Sequence, residues 1–251
     1  MWMCDRCQEI NESDAPACAK CGLVRKAEVE DAASGVETAK PESAAVTSWL
    51  GAVGMWLAGG ARGFAADARI WASGRVWIVR AALLAYLAYA GFRHMVDPDA
   101  TDWFAGLTLG VHEAGHVLTR WAPFAFYVAA GSIAQVAAPI ALALSFVKQR
   151  DYFAIAVAGC WLSFSLFGLS QYIGDARAMV LPLVTVGGGD ALHDWNYLLG
   201  QWNMLPMDTA IAGCVRAAAI AALFASVAWG AWICAVMFAT RRSSAMQLTQ
   251  V

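Results

Sequence analysis

The chain has 251 residues, 60% of them hydrophobic and only 14% charged, with a mean hydropathy of +0.53. That composition excludes an ordinary soluble enzyme and points to an integral membrane protein of one or two domains. A formal net charge of −2 removes any reason to expect nucleic acid as a bulk electrostatic partner.

Residues 1–22 form a compact module holding Cys4, Cys7, Cys18 and Cys21 as two C-x2-C pairs. Four thiolates at that spacing close a tetrahedral structural zinc site without an open position. Cys160, Cys214 and Cys234 are scattered through apolar stretches and read as packing residues, so no disulfide framework is implied. With Trp2 before the first pair and Asn11 between the pairs, the module reads W-x-C-x2-C-x3-N-x6-C-x2-C and resembles the Ran-binding-protein type zinc finger. The resemblance implies a small docking module for single-stranded RNA or ubiquitin. Gln8-Glu9 stand where the ubiquitin-binding subtype has Thr-Phe, and Arg6 and Arg25, the candidate RNA contacts, lie among acidic residues. A protein partner is therefore the expected occupant, with RNA less favoured. The opening residues carry Cys, Asp and Glu instead of an apolar leader, which places the N-terminus in the cytosol of a plasma or inner membrane.

Residues 23–45 are rich in Ala, Ser and Glu without an apolar period and read as a flexible acidic linker. Over 46–75 the apolar Val46, Trp49, Leu50, Val53, Trp56 and Leu57 recur at helical spacing, followed by Arg62, Arg69 and Arg75. An amphipathic helix on the membrane surface fits, as do a soluble linker helix or a weakly apolar span. The transmembrane region is expected over 76–242, as an all-α polytopic domain of about five transmembrane helices. Val76–Phe92 is the first candidate, and Trp103–Trp121, with a Trp at each end as interface anchor, the second. Gly131–Val147 is the third, with Phe124–Ala130 either extending it or forming a re-entrant piece. Tyr152–Ile173 and Ala217–Ala239 complete the set. A polar segment, 174–208, separates the last two and is too long to be a mere connection.

The second candidate span contains His112-Glu113-Ala114-Gly115-His116. Histidines four residues apart share one helical face and can each give a nitrogen to one Zn²⁺, while Glu113 reaches the metal's water as general base and then acid. Ionisable groups inside a lipid-spanning helix are costly, and with only four His in the chain an HExxH at such a place favours a catalytic site over packing. A third protein ligand is required. Asp175, at the end of the fourth span, and His193, beside Asp194, lead; Asp208 and Asp194 follow. Helix parity brings the polar segment out on the membrane face toward which the HExxH lies, so ligands from both can meet.

HEAGH in a membrane helix, followed after a turn by Gly131-Ser132-Ile133-Ala134-Gln135, resembles the site-2 protease group of intramembrane zinc metalloproteases. Ser132 and Gln135 replace the Pro and Asn of that group's Gly-Pro-x-x-Asn-like pattern. Asn203-Met204-Leu205-Pro206 is similar to its Asn-x-x-Pro, but the Leu-Asp-Gly that supplies the third ligand there is missing. The resemblance covers roughly residues 103–209 and implies hydrolysis of a peptide bond in or beside a membrane segment of a protein substrate, with one catalytic and one structural zinc. The alternative is a noncatalytic membrane scaffold whose finger recruits a protein or RNA partner.

Overall fold

The structure, a computed structural model, describes residues 1–4, 7, 9–13, 15, 18–21, 60–183 and 192–248. The acidic linker, the surface helix expected from Val46 to Leu57, Arg6, Arg25 and residues 184–191 of the polar segment lie outside the described residues. The chain divides into two compact units, Met1–Met55 and Trp56–Val251.

In the first unit, β1 (Trp2–Met3) and β2 (Ile10–Asn11) pair antiparallel with Trp2 opposite Asn11. The buried Asn11 amide joins the two cysteine pairs: Nδ2 donates to Glu9 O at 3.0 Å and Oδ1 accepts from Ala19 N at 3.0 Å. That is the structural use of the asparagine between the two C-x2-C pairs.

In the second unit residues 60–72 are helical (α1). Then come α2 (Ile78–Val96), α3 (Ala105–Leu118), α4 (Phe124–Gln149), α5 (Tyr152–Gly174), α6 (Asp194–Gln201), a 3-10 turn (Leu205–Met207) and α7 (Asp208–Leu248). Three stretches among the described residues are long and apolar enough to cross a membrane: Phe124–Gln149, Tyr152–Gly174 and Leu205–Arg241. The expectation of five spans is corrected to three. At 1.5 Å per residue the 14 residues of α3 extend roughly 21 Å, short of a hydrocarbon core of about 30 Å. The 19 residues of α2 include Arg80, Arg93 and His94, which leave it too polar to count. Phe124–Ala130 is the first part of α4, not a re-entrant piece.

Helix α5 is the central post. Its apolar window is 61% buried, against 28% for α4 and for α7, because α4, α7 and α2 all pack on it. Small residues bring α5 and α7 together: a Cβ on Gly159 would collide with Ser226, and Ser163 and Ser170 Oγ donate to Ala219 O and Ala212 O at 2.8 and 2.9 Å. In lipid, where apolar side chains gain little by leaving the solvent, such close approach and interhelical hydrogen bonding drive association. Arg150, in the left-handed conformation (φ 57°), ends α4, and Asp151 caps α5 by accepting from Ala154 N, so the two helices form a tight hairpin.

Several contacts fix which ends lie together. Ala68 and Ala72 of α1 pack with Tyr152 and Met237, Arg150 pairs with Asp67, and Trp77 meets Phe238 edge-on. From there α2 runs antiparallel to α7 and ends where Arg216 Nη2 donates to Met95 O at 2.8 Å. That end is level with Phe164 and Phe167, just past the midpoint of α5. The loop 97–104 stays at this depth: Phe104 stacks on Trp161, and α3 continues from it toward Tyr127. Two of the loop's three acids are engaged internally, Asp97 with Arg93 at 2.7 Å and Asp102 with His94 at 2.9 Å.

Candidate metal centre

Helix α3 lies against the start of α4 because Gly115 presents no side chain: a Cβ there would strike the backbone of Ala130. Gly131, one residue on, faces the imidazoles, and its own Cβ would collide with Nε2 of both His112 and His116. The two glycines let the HExxH turn sink onto α4.

Both rings are oriented from behind. Gln135 donates through Nε2 to Ser165 O at 2.8 Å, so its Oε1 accepts from His112 Nδ1 at 3.0 Å. His116 Nδ1 donates to the backbone carbonyl of Tyr127 at 2.9 Å. With the Nδ1 protons committed, the lone pair of each neutral ring sits on Nε2 and points inward.

The inward atoms converge. His112 Nε2 and His116 Nε2 are 3.1 Å apart, and each lies 3.2 Å from Asp194 Oδ2. Three acceptor atoms facing one another in a buried site repel unless a cation or a proton lies among them. Tetrahedral zinc with bonds of about 2.0–2.1 Å places its ligands roughly 3.3 Å apart, so two imidazoles and one carboxylate at this spacing fit a divalent cation.

The structure therefore brings Asp194, not Asp175 or His193, to the pair. His193 is spent as the cap of α6: its Nδ1 accepts from Asn196 N at 3.2 Å, and its buried Nε2 lies 3.4 Å from Asp175 Oδ2 without a hydrogen bond. Asp175 is spent on backbone, accepting from Val180 N and Leu181 N at 3.0 Å each. Those bonds outweigh burial, which ranks first among the influences and acts the other way, and they lower its pKa. Both residues lie behind the segment that carries Asp194, together with the Tyr172 hydroxyl that accepts from Asp194 N at 3.0 Å. Asp208 is elsewhere, paired with Arg177 through two contacts of 2.7 Å.

Glu113 lines a cavity of about 720 Å³ together with His112, His116 and Asp194. In the first unit Cys4, Cys7, Cys18 and Cys21 bring their sulfurs within 4.8 Å of one another, with Cys4–Cys21 and Cys7–Cys18 separations of 3.5 Å. Among the described residues two clusters could hold a metal ion, one all-thiolate, the other mixed and facing a cavity. No protein-family model matches this sequence. Neither a curated protein nor a solved structure is significantly similar to it. The asparagine-and-cysteine spacing of the finger and the HExxH turn stand on their own geometry.

Proposed function

We propose that the chain is a membrane-embedded zinc metallopeptidase that cleaves a peptide bond in or beside a membrane segment, with an N-terminal zinc finger for docking a protein partner. The observation that carries this reading is the triangle of His112 Nε2, His116 Nε2 and Asp194 Oδ2, 3.1–3.2 Å on a side, in a cavity that Glu113 also lines. A scaffold that merely held metal would need no carboxylate free of the ligand set beside it. A bound zinc would supply Lewis-acid polarisation of the scissile carbonyl and a water acidified to near neutrality. Glu113 takes the proton of the attacking water and returns it to the leaving amine. Gln135 and Tyr127 O keep both imidazoles in the tautomer that presents Nε2, and Tyr172 and Asp175 hold the segment that carries Asp194.

The fold supports an orientation as well. Arg62, Arg69, Arg75, Lys148, Arg150 and Arg241 gather at the end of the bundle where α1, the α4–α5 turn and the last part of α7 meet. Basic residues mark the cytosolic side. That end faces the cytosol, and the metal centre lies in the opposite half of the membrane. Five full spans would have divided these basic residues between two faces; with α2 stopping partway and α3 continuing, they fall on one.

The test is metal counting on purified full-length protein joined to a cleavage assay in proteoliposomes carrying single-span membrane proteins. Two zinc ions per chain are expected. His112→Ala with His116→Ala should remove one and Cys4→Ser with Cys7→Ser the other, while Glu113→Gln keeps both and stops cleavage. Retention of both ions in the histidine variant, or undiminished cleavage by Glu113→Gln, would refute the reading.

A further inference from the structure

The cavity that holds the metal centre has a second polar pole. Arg216, on α7 within the stretch Leu205–Arg241 that is long and apolar enough to cross a membrane, lines it together with His94 and Asp102. An ionised guanidinium at such a depth is costly and marks function unless a carboxylate neutralises it. Among the described residues Arg216 has no carboxylate partner. The nearby Asp102 is taken, Oδ2 by His94 Nε2 at 2.9 Å and Oδ1 by Phe104 N at 2.6 Å. Arg216 engages instead the carbonyls at the end of α2, Met95 O at 2.8 Å and His94 O at 3.5 Å, both through Nη2. Its guanidinium also lies 5.5 Å from the centre of the Phe167 ring.

A structural role as a helix cap accounts for Nη2 and for part of the charge, since a helix C-terminus carries only about half an electron. It does not account for the Nε and Nη1 hydrogens or for the seat on the cavity wall. Backbone carbonyls on one side and an aromatic face on the other hold the guanidinium in place. A preorganised, partly desolvated arginine of this kind binds a carboxylate more strongly than an exposed one does. Arg120, the other arginine on the cavity, is exposed past the end of α3 and lacks such a seat.

We propose that Arg216, supported by the His94–Asp102 pair and Phe167, is a specificity-determining subsite that receives a carboxylate of the peptide substrate while its scissile bond lies at the metal centre. This rests on the metallopeptidase reading and narrows it to substrates with an acidic group at a fixed reach from the cleaved bond. The carboxylate comes from an Asp or Glu side chain or from a free C-terminus.

The test uses three peptide hydroxamates, which chelate zinc through the hydroxamate: one with Glu and an amidated C-terminus, one with Gln and a free C-terminus, and one with Gln and an amide. Each is made with spacers of one to four residues. Affinities are measured on the zinc-loaded full-length protein in phosphatidylcholine and in phosphatidylglycerol nanodiscs. At one spacer length a carboxylate probe should bind about 10- to 100-fold tighter than the neutral probe, and whether the Glu probe or the free-acid probe gains identifies the source. Arg216→Gln should bring the ratio to about one with zinc content unchanged, and Arg216→Lys should keep part of the preference. Equal affinities at every spacer would overturn the subsite. So would a fall of all probes by the same factor in Arg216→Gln, or its loss of zinc, since either leaves a structural cap only. A preference lost in phosphatidylglycerol would assign Arg216 to lipid phosphate instead and overturn it too. Failure of all three probes to bind the zinc-loaded protein would refute the metal-centre reading beneath it.

Discussion

At the residue scale, the division of labour among the four polar residues near the metal centre is the sharpest outcome. Asp194→Ala should lose the inner ion outright, whereas Asp175→Ala should retain it with affinity weakened about 10- to 100-fold, the usual effect of removing an outer support. Titration with a competing chelator separates the two, and equal effects would remove the distinction drawn between ligand and support. Gly131→Ala places a methyl against both Nε2 atoms and should lower metal affinity at least as far, with the finger's ion retained as the internal control. The histidine pair and Glu113 were legible because one helical turn fixes their relation. The third member of the cluster, Asp194, was only a trailing candidate. Asp194 reaches the pair only because Tyr172 accepts from its backbone N–H and His193 caps the helix it begins, and no spacing rule encodes a meeting across 82 residues. Gln135 was visible only as a substitution in a motif; its use as the brace for His112 needed the neighbouring Ser165 carbonyl.

Elements were legible where composition was uniform and misleading where it was mixed. The apolar runs that became α4, α5 and α7 were found, although α4 begins at Phe124 and α7 at Asp208, each several residues before the expected start. Trp103 and Trp121 suggested a full span between two interfaces, but Trp103 stacks on Tyr86 with ring centres 3.9 Å apart, within the unit, and the helix between them is only 14 residues long. At this scale the α5–α7 contact is the one to perturb. Ser163→Ala and Ser170→Ala should each cost about 0.6 kcal/mol, small enough for the pair to be additive in a detergent unfolding titration. Removing Arg177 is a larger insult. Asp208 is almost wholly buried while Arg177 is about half exposed, so Arg177→Met should cost roughly 1–3 kcal/mol, chiefly from the carboxylate left behind. Recovery in the Arg177→Met, Asp208→Asn double variant checks that cause.

For the whole molecule, the arrangement of basic residues yields a topology that labelling can read. Single cysteines at positions 62, 150 and 241 should react with a membrane-impermeant thiol reagent from one side of sealed vesicles, and one at position 179 from the other. Reaction of 150 and 241 from opposite sides would require a different set of crossings. The fold class and the meeting of the polar segment with the HExxH were within reach of the sequence. The count of crossings was not, because a helix that stops halfway has the same hydropathy as the end of one that does not.

That halfway stop has a consequence for the supply of one reactant. Under the metallopeptidase reading proposed above, each bond hydrolysed would consume a water molecule, and a site enclosed by lipid-facing helices would need a route for it. Because α2 ends near the midpoint of α5 and α3 begins there, the bundle has a notch at half depth. Pro98, Ala100 and Asp102 of the connecting loop line the same cavity as Glu113, with Asp97 and Asp99 alongside in the sequence. A continuous helix at that place would have sealed the wall with side chains. The broken one leaves a hydrogen-bonding sill on the cavity wall, and under that reading the gap between the two short helices would be the inlet by which water reaches the site.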